Sequence, residues 1–192
     1  YFGGSYPTPN RLSLVLDDMV VSDSGRVGCI DPFVDDNDSE HEGALTELYA
    51  RGLLYGCAER QACPHDPLTR AEFAAMLHRI IGGAPGGDAF IDDSGHWGEG
   101  VLNSLAAAGV IRGCNPPANT RVCPDMSVTR AEVAAMVKRA LGLAAGPDAF
   151  TDDNWHWAEN DINALAAAGI TRGCDTDRYC PDRLHRLLLD SG

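Results

Sequence analysis

The tetrapeptide TRAE occupies residues 69–72 and recurs at 129–132, 60 positions further on. Other marks keep the same phase. Phe33, Phe90 and Phe150, in "DPFVDD", "DAFIDD" and "DAFTDD", are separated by 57 and then 60 residues, and so are Cys57, Cys114 and Cys174. Self-similarity at this period marks an array in which one copy cannot bury its hydrophobic face alone and neighbours complete one another's cores. The copies run over 31–85, 86–145 and 146–192, and residues 1–30 form an arm or linker with no counterpart in them.

Each copy reads as a helix, a short loop and a second helix. The first helix ends in "LTELYARG", "VLNSLAAAGV" or "INALAAAGI", with Leu102 and Leu105, or Ile162 and Leu165, sharing a face, and with Gly52, Gly109 and Gly169 at the C′ position. The second begins at TRAE. Phe73, Met76, Leu77, Ile80 and Ile81 follow one helical stripe, matched by Val133, Met136, Val137, Ala140 and Leu141. Thr69 and Glu72, like Thr129 and Glu132, have the spacing of a capping box. Arg70 and Arg130 stand in the first turn, where the helix dipole disfavours a cation by about 0.3–1 kcal/mol. Two such placements demand a reason.

Six of the seven cysteines fall in short pairs, Cys57 with Cys63, Cys114 with Cys123 and Cys174 with Cys180, each opening after Gly and closing in Cys-Pro. Metal sites of this kind use tighter CxxC spacing or histidines at fixed offsets, so the pairs read as three disulfides, each stabilising by roughly 2–3 kcal/mol. Disulfides imply an oxidising, extracytoplasmic setting. Cys29 is left over, a free or inter-chain thiol. The net charge of −13 argues against nucleic acid and anionic membranes as general partners. No apolar run approaches the roughly 18 residues that span a bilayer, so no membrane insertion is expected. The chain opens at Tyr1 without a recognisable signal peptide, as a processed or excised segment would.

The order Phe-x-Asp, His-Trp, Leu-Ala-Ala-Ala-Gly, Arg-Gly, Cys-Pro-Asp and Thr-Arg-Ala-Glu resembles the S-layer homology (SLH) domain, in a variant whose loop before TRAE carries a disulfide. The resemblance covers the chain from about Asp31 onward. It implies an all-α fold of three tandem helix-loop-helix repeats packed with pseudo-threefold symmetry. It also implies a non-catalytic anchoring function: attachment of exported proteins at the bacterial cell surface through secondary wall polysaccharides, which are often pyruvylated.

That function gives Arg70 and Arg130 a role. A helix start offers unpaired N–H groups, and an arginine fork beside it suits a carboxylate, so an acidic sugar substituent would resolve the misplaced charge. The competing explanation is a local pairing with one of the abundant aspartates. Trp97 and Trp157, each after a histidine, are candidate stacking platforms at the groove between repeats, although aromatics at helix starts more often anchor cores. Arg112 and Arg172 are candidate groove cations, and Gly113 and Gly173 beside them allow either close approach of a ligand or a tight turn into the loop.

"DDNDSE" alternates Asp35, Asn37 and Ser39 as calcium ligands can, but Glu40 replaces the required glycine and the distal glutamate is absent, which argues against calcium. Asp92 and Asp152 read as caps of the helices that follow. His41, His96 and His156 occur one per copy without metal-site spacing, as capping or groove histidines. No metal, cofactor or catalytic constellation is expected, since no nucleophile elbow or phosphate loop is present.

Two departures from the family pattern stand out. The first copy has Ser39 and Glu40 in place of His-Trp, and the third has Arg186 in place of the capping Thr, with "PDRLHRLLLDSG" replacing TRAE. The alternative function is a self-assembling subunit of a surface layer or filament. In that reading "LSLVLDDMVV" of the arm adds to a neighbouring copy and Cys29 lies near the contact.

Overall fold

The computed structural model describes residues 32–36 and 41–187. Residues 1–31, 37–40 and 188–192, and with them Cys29, the arm, Ser39 and Glu40, lie outside the described residues. The described part is all-α, with α1 (Glu42–Ala50), α2 (Arg70–Ile81), α3 (Glu99–Ala107), α4 (Arg130–Leu141) and α5 (Glu159–Ala167). Only isolated β-bridges occur besides them among the described residues.

Local chemistry sets the helix limits. Thr69 Oγ1 accepts the Glu72 amide at 3.2 Å while Glu72 Oε2 accepts the Thr69 amide at 2.8 Å, and Thr129 with Glu132 repeats the box at 3.3 and 2.9 Å. Gly52, Gly109 and Gly169 take φ of 68°, 72° and 69° just past α1, α3 and α5, a region that L side chains avoid. The three disulfides join Cys57 to Cys63, Cys114 to Cys123 and Cys174 to Cys180.

Packing crosses from one copy to the next. α2 lies on α3, α4 lies on α5, and α2 also meets α4. One core unites Phe73 and Leu77 with Leu102 and Leu105, and Val133 and Val137 with Ile162 and Leu165. Each such side chain contributes roughly 1.5–3 kcal/mol of burial. Phe33, Leu45 and Leu54 form a second core, against which Met76 and Leu187 pack.

Three backbone bonds close the arrangement. The Leu68 amide donates to the His185 carbonyl at 2.9 Å, the Val128 amide to the Leu68 carbonyl at 2.9 Å, and the His185 amide to the Val128 carbonyl at 2.8 Å. These residues hold the same place in successive copies, so the ring of donors and acceptors marks the pseudo-threefold axis. Beside it the first-turn amides of Arg70 and Ala71 donate to the Met126 and Pro124 carbonyls, and those of Arg130 and Ala131 to the Arg183 and Pro181 carbonyls, at 2.9–3.0 Å. Each TRAE helix therefore starts on the Cys-Pro loop of the following copy.

This arrangement corrects two expectations. Asp92 and Asp152 do not cap the helices after them. Asp92 accepts the amides of Val122 and Cys123 at 2.8 and 2.9 Å, Asp152 those of Tyr179 and Cys180 at 2.7 and 2.9 Å, and Asp35 those of Ala62 and Cys63, both at 2.8 Å. Both aspartates stand too far ahead of the N-cap residues Gly98 and Ala158 to reach the first turn, and α3 and α5 have no side-chain cap.

The second correction concerns the arginines. The helix starts are not open anion sites, because the following loop has taken their amides. Arg70 is 5% and Arg130 1% exposed. Arg70 Nε donates to the Val122 carbonyl at 2.8 Å, Nη2 to the Arg112 carbonyl at 3.1 Å, and Nη1 to Glu132 Oε1 at 2.6 Å. Arg130 Nε donates to the Tyr179 carbonyl at 2.8 Å, and its guanidinium lies 4.6 Å from the centre of the Tyr179 ring. Both arginines tie one copy to the next, and cross-copy oxygens outweigh the dipole penalty of the first turn.

Asp152 and its neighbour Asp153 titrate oppositely. Burial alone would raise Asp152, but the Tyr179 and Cys180 amides and the Arg178 guanidinium hold it below the ordinary carboxylate value. Asp93 and Asp153 are fully buried, no other residue donates a hydrogen bond to their carboxylate oxygens, and burial pushes both up against the pull of each residue's own amide, with nearby carboxylates adding to the rise.

Two outcomes are expected. Arg70→Ala should lower stability by about 2–4 kcal/mol, read as a reduced urea midpoint, because it leaves interior carbonyls and Glu132 without their donor. A midpoint within error of the wild type would show that the tie is dispensable. For Asp153 the folded value lies above the unfolded one of about 3.9. Its contribution is therefore full in acid and lost as pH rises through the folded value. Asp153→Asn should accordingly be more stable than wild type at neutral pH, with the gap narrowing as urea midpoints are taken down toward pH 4.

Candidate functional site

Two grooves recur at corresponding places, each between the loop of one copy, its TRAE helix and the tryptophan of the next. The first, about 400 Å³, is lined by Tyr55, Gly56, Met76, Arg79 and Trp97 among others. The second, about 440 Å³, is lined by Arg112, Gly113, Met136, Arg139 and Trp157, with Arg70 and Glu132 at its inner wall.

The tryptophans owe their position to the histidines before them. His96 Nδ1 accepts the Gly98 amide at 3.0 Å, and Nε2 lies 3.1 Å from Asp125 Oδ1. His156 repeats this with the Ala158 amide at 3.2 Å and Asp182 Oδ1 at 3.4 Å. The clamped rings lie 5.2 and 5.4 Å from the indoles of Trp97 and Trp157, which remain 63% and 62% exposed. At this exposure neither indole anchors the core.

Arg112 is exposed at the rim of the second groove, whereas Arg172, also exposed, and the buried Arg130 lie outside both of these grooves. Gly113 and Gly173 are explained by the loops themselves. A Cβ on Gly113 would strike the Asn119 backbone, and one on Gly173 the Arg178 carbonyl and the Phe150 ring. The tight turn is enough to require glycine at both positions.

Arg79 and Arg139 were missed by the sequence reading. They recur 60 residues apart in the last turns of α2 and α4, and that recurrence was the available signal. Arg79 donates to the Leu53 carbonyl at 3.2 Å with its guanidinium 4.5 Å from the Tyr55 ring centre. Arg139 donates to the Val110 carbonyl at 3.3 Å, and burial, then the charge of Arg112, pushes it below the ordinary arginine value, against the pull of Asp161.

Trp155 was also missed. It is 97% exposed with φ at +68°, where the preceding copy has Gly95 at +74°. A bulky residue in this region costs on the order of 1–3 kcal/mol, and here no burial offsets it.

No protein-family model matches the chain. It is similar, at 28% identity over 161 residues, to an amylopullulanase of Thermoanaerobacterium thermosulfurigenes, covering 78% of this chain and 8% of that protein. At 32% identity over 114 residues it resembles S-layer protein EA1 of Bacillus anthracis, covering 57% of this chain and 13% of that protein. A cellulosome-anchoring protein of Acetivibrio thermocellus matches at 29% over 130 residues, 62% of this chain and 28% of that protein. The chain thus spans less than a third of the length of these relatives. The presence of S-layer and anchoring proteins among them agrees with the resemblance read from the motifs.

Since the Trp155 side chain buries nothing, Trp155→Gly should leave the thermal midpoint within about 3 °C of wild type, strain relief offsetting the entropy of glycine. A larger loss would show that the indole supports the fold.

Proposed function

We propose that this chain is a non-catalytic module that holds an exported protein at the bacterial cell surface by binding acidic, often pyruvylated, wall polysaccharide in the grooves between copies. The observation that carries this reading is the second groove, where the exposed face of Trp157 stands beside Arg112 and Arg139. An indole face matches the apolar side of a sugar ring, and a guanidinium fork matches a carboxylate. Relatives named for a surface layer and for cellulosome anchoring support the same setting. The enzyme names among these relatives belong to proteins of which this chain spans 8% to 22%, consistent with an attachment segment in larger enzymes.

Arg112→Ala and Trp157→Ala should each weaken co-sedimentation with purified wall sacculi by about tenfold, with unchanged melting. Stripping the polysaccharide from the sacculi with acid should abolish sedimentation. Equal binding to intact and stripped sacculi would overturn the reading.

A further inference from the structure

The two grooves share a plan but not a charge. One cation, Arg79, and two carboxylates, Asp66 and Glu72, line the first; three cations, Arg70, Arg112 and Arg139, and one carboxylate, Glu132, line the second. The difference has three sources. Tyr55 stands immediately before Gly56 where Arg112 stands before Gly113, Asp66 of the first loop corresponds to Met126 of the next, and Leu187 lines the first groove in the place that Arg70 takes in the second.

What each arginine is free to do differs as well. Arg79 is held against the Tyr55 ring and the Leu53 carbonyl, so its charge already has a π face and a dipole. Arg139 has the Val110 carbonyl, but in place of the ring it meets the like charge of Arg112. The carboxylate in that groove is engaged elsewhere: Glu132 Oε1 takes Arg70 at 2.6 Å and Oε2 takes the Thr129 amide at 2.9 Å. Asp161, the other carboxylate near Arg139, pairs with Lys138 at 2.9 Å. A carboxylate brought between Arg112 and Arg139 would relieve a repulsion built into the empty groove, whereas the first groove offers no such gain.

Resting on the polysaccharide reading above, we propose that the two grooves take different sugars. The Arg112–Arg139 groove selects a carboxylate-bearing residue of the polymer, and the Tyr55–Arg79 groove takes an uncharged ring on Tyr55 and Trp97. The residue before the loop glycine, Tyr55 or Arg112, decides which. One chain then reads an acidic and a neutral position of the same polymer, and gains affinity by engaging both when their spacing fits.

The test uses the whole chain and two probes, a disaccharide bearing a pyruvate ketal and the same disaccharide after mild acid has removed the ketal. Binding is followed by NMR at the indole N–H signals of Trp97 and Trp157, assigned through Trp97→Phe and Trp157→Phe. Trp157 should report at least about tenfold tighter binding of the ketal probe, and Trp97 equal binding of both. Tyr55→Arg should confer the preference on the Trp97 groove, and Arg112→Tyr should remove it from the Trp157 groove while binding of the neutral probe persists. Equal preference in both grooves, or a preference unmoved by the exchanges, overturns the assignment and leaves the polysaccharide reading standing. No shift of either indole with either probe overturns both.

Discussion

The structure depends on donating each copy's helix start to the next copy's loop. An α-helix begins with amides that its own backbone cannot satisfy. Here the Pro124 and Met126 carbonyls accept those of α2, and the Pro181 and Arg183 carbonyls those of α4. The loops can present these carbonyls because each is braced three times over, by its disulfide, by the aspartate that holds two of its amides, and by the backbone bonds at the axis. Arg70 adds a side-chain tie along the same seam, reaching Glu132 while Glu132 completes its own capping box. Capping, bracing and joining of copies thus share the same few residues.

The second groove follows from this economy. Because Arg70 and Glu132 satisfy one another in its wall, the groove's character falls to Arg112 at the rim and Arg139 in the last turn of α4. The tryptophans are free of core duty, since the histidine clamps fix them from behind.

What was legible in the sequence was what a short stretch decides alone. The capping boxes, the C′ glycines, the disulfides and the buried faces of the helices each depend on residues within about a dozen positions. Phase between copies then gave the all-α array. The arginines were misread because their partners lie 62 and 49 residues away, across a closure that no local rule expresses. Asp92 and Asp152 were misread for the same reason, as the amides they hold are 27 to 31 residues downstream. Arg139 was overlooked because a basic residue in a last helical turn already has an ordinary explanation in the dipole. Trp155 was overlooked because its one sequence mark, a glycine at the matching position of the preceding copy, gains meaning only once the backbone shows a positive φ at both.

The triangle of Leu68, Val128 and His185 sets a limit on growth. In open solenoids each unit touches only its neighbours, so units can be added or lost at an end and the array stays whole. Here the third amide returns to the second copy and the first returns to the third, which uses up every donor and acceptor of the ring. A fourth copy would find no vacancy at the axis, and two would leave a gap. Copies in such a ring can differ only by changing in place, as the third does, with Leu187 packed on the second core where its siblings carry a buried arginine.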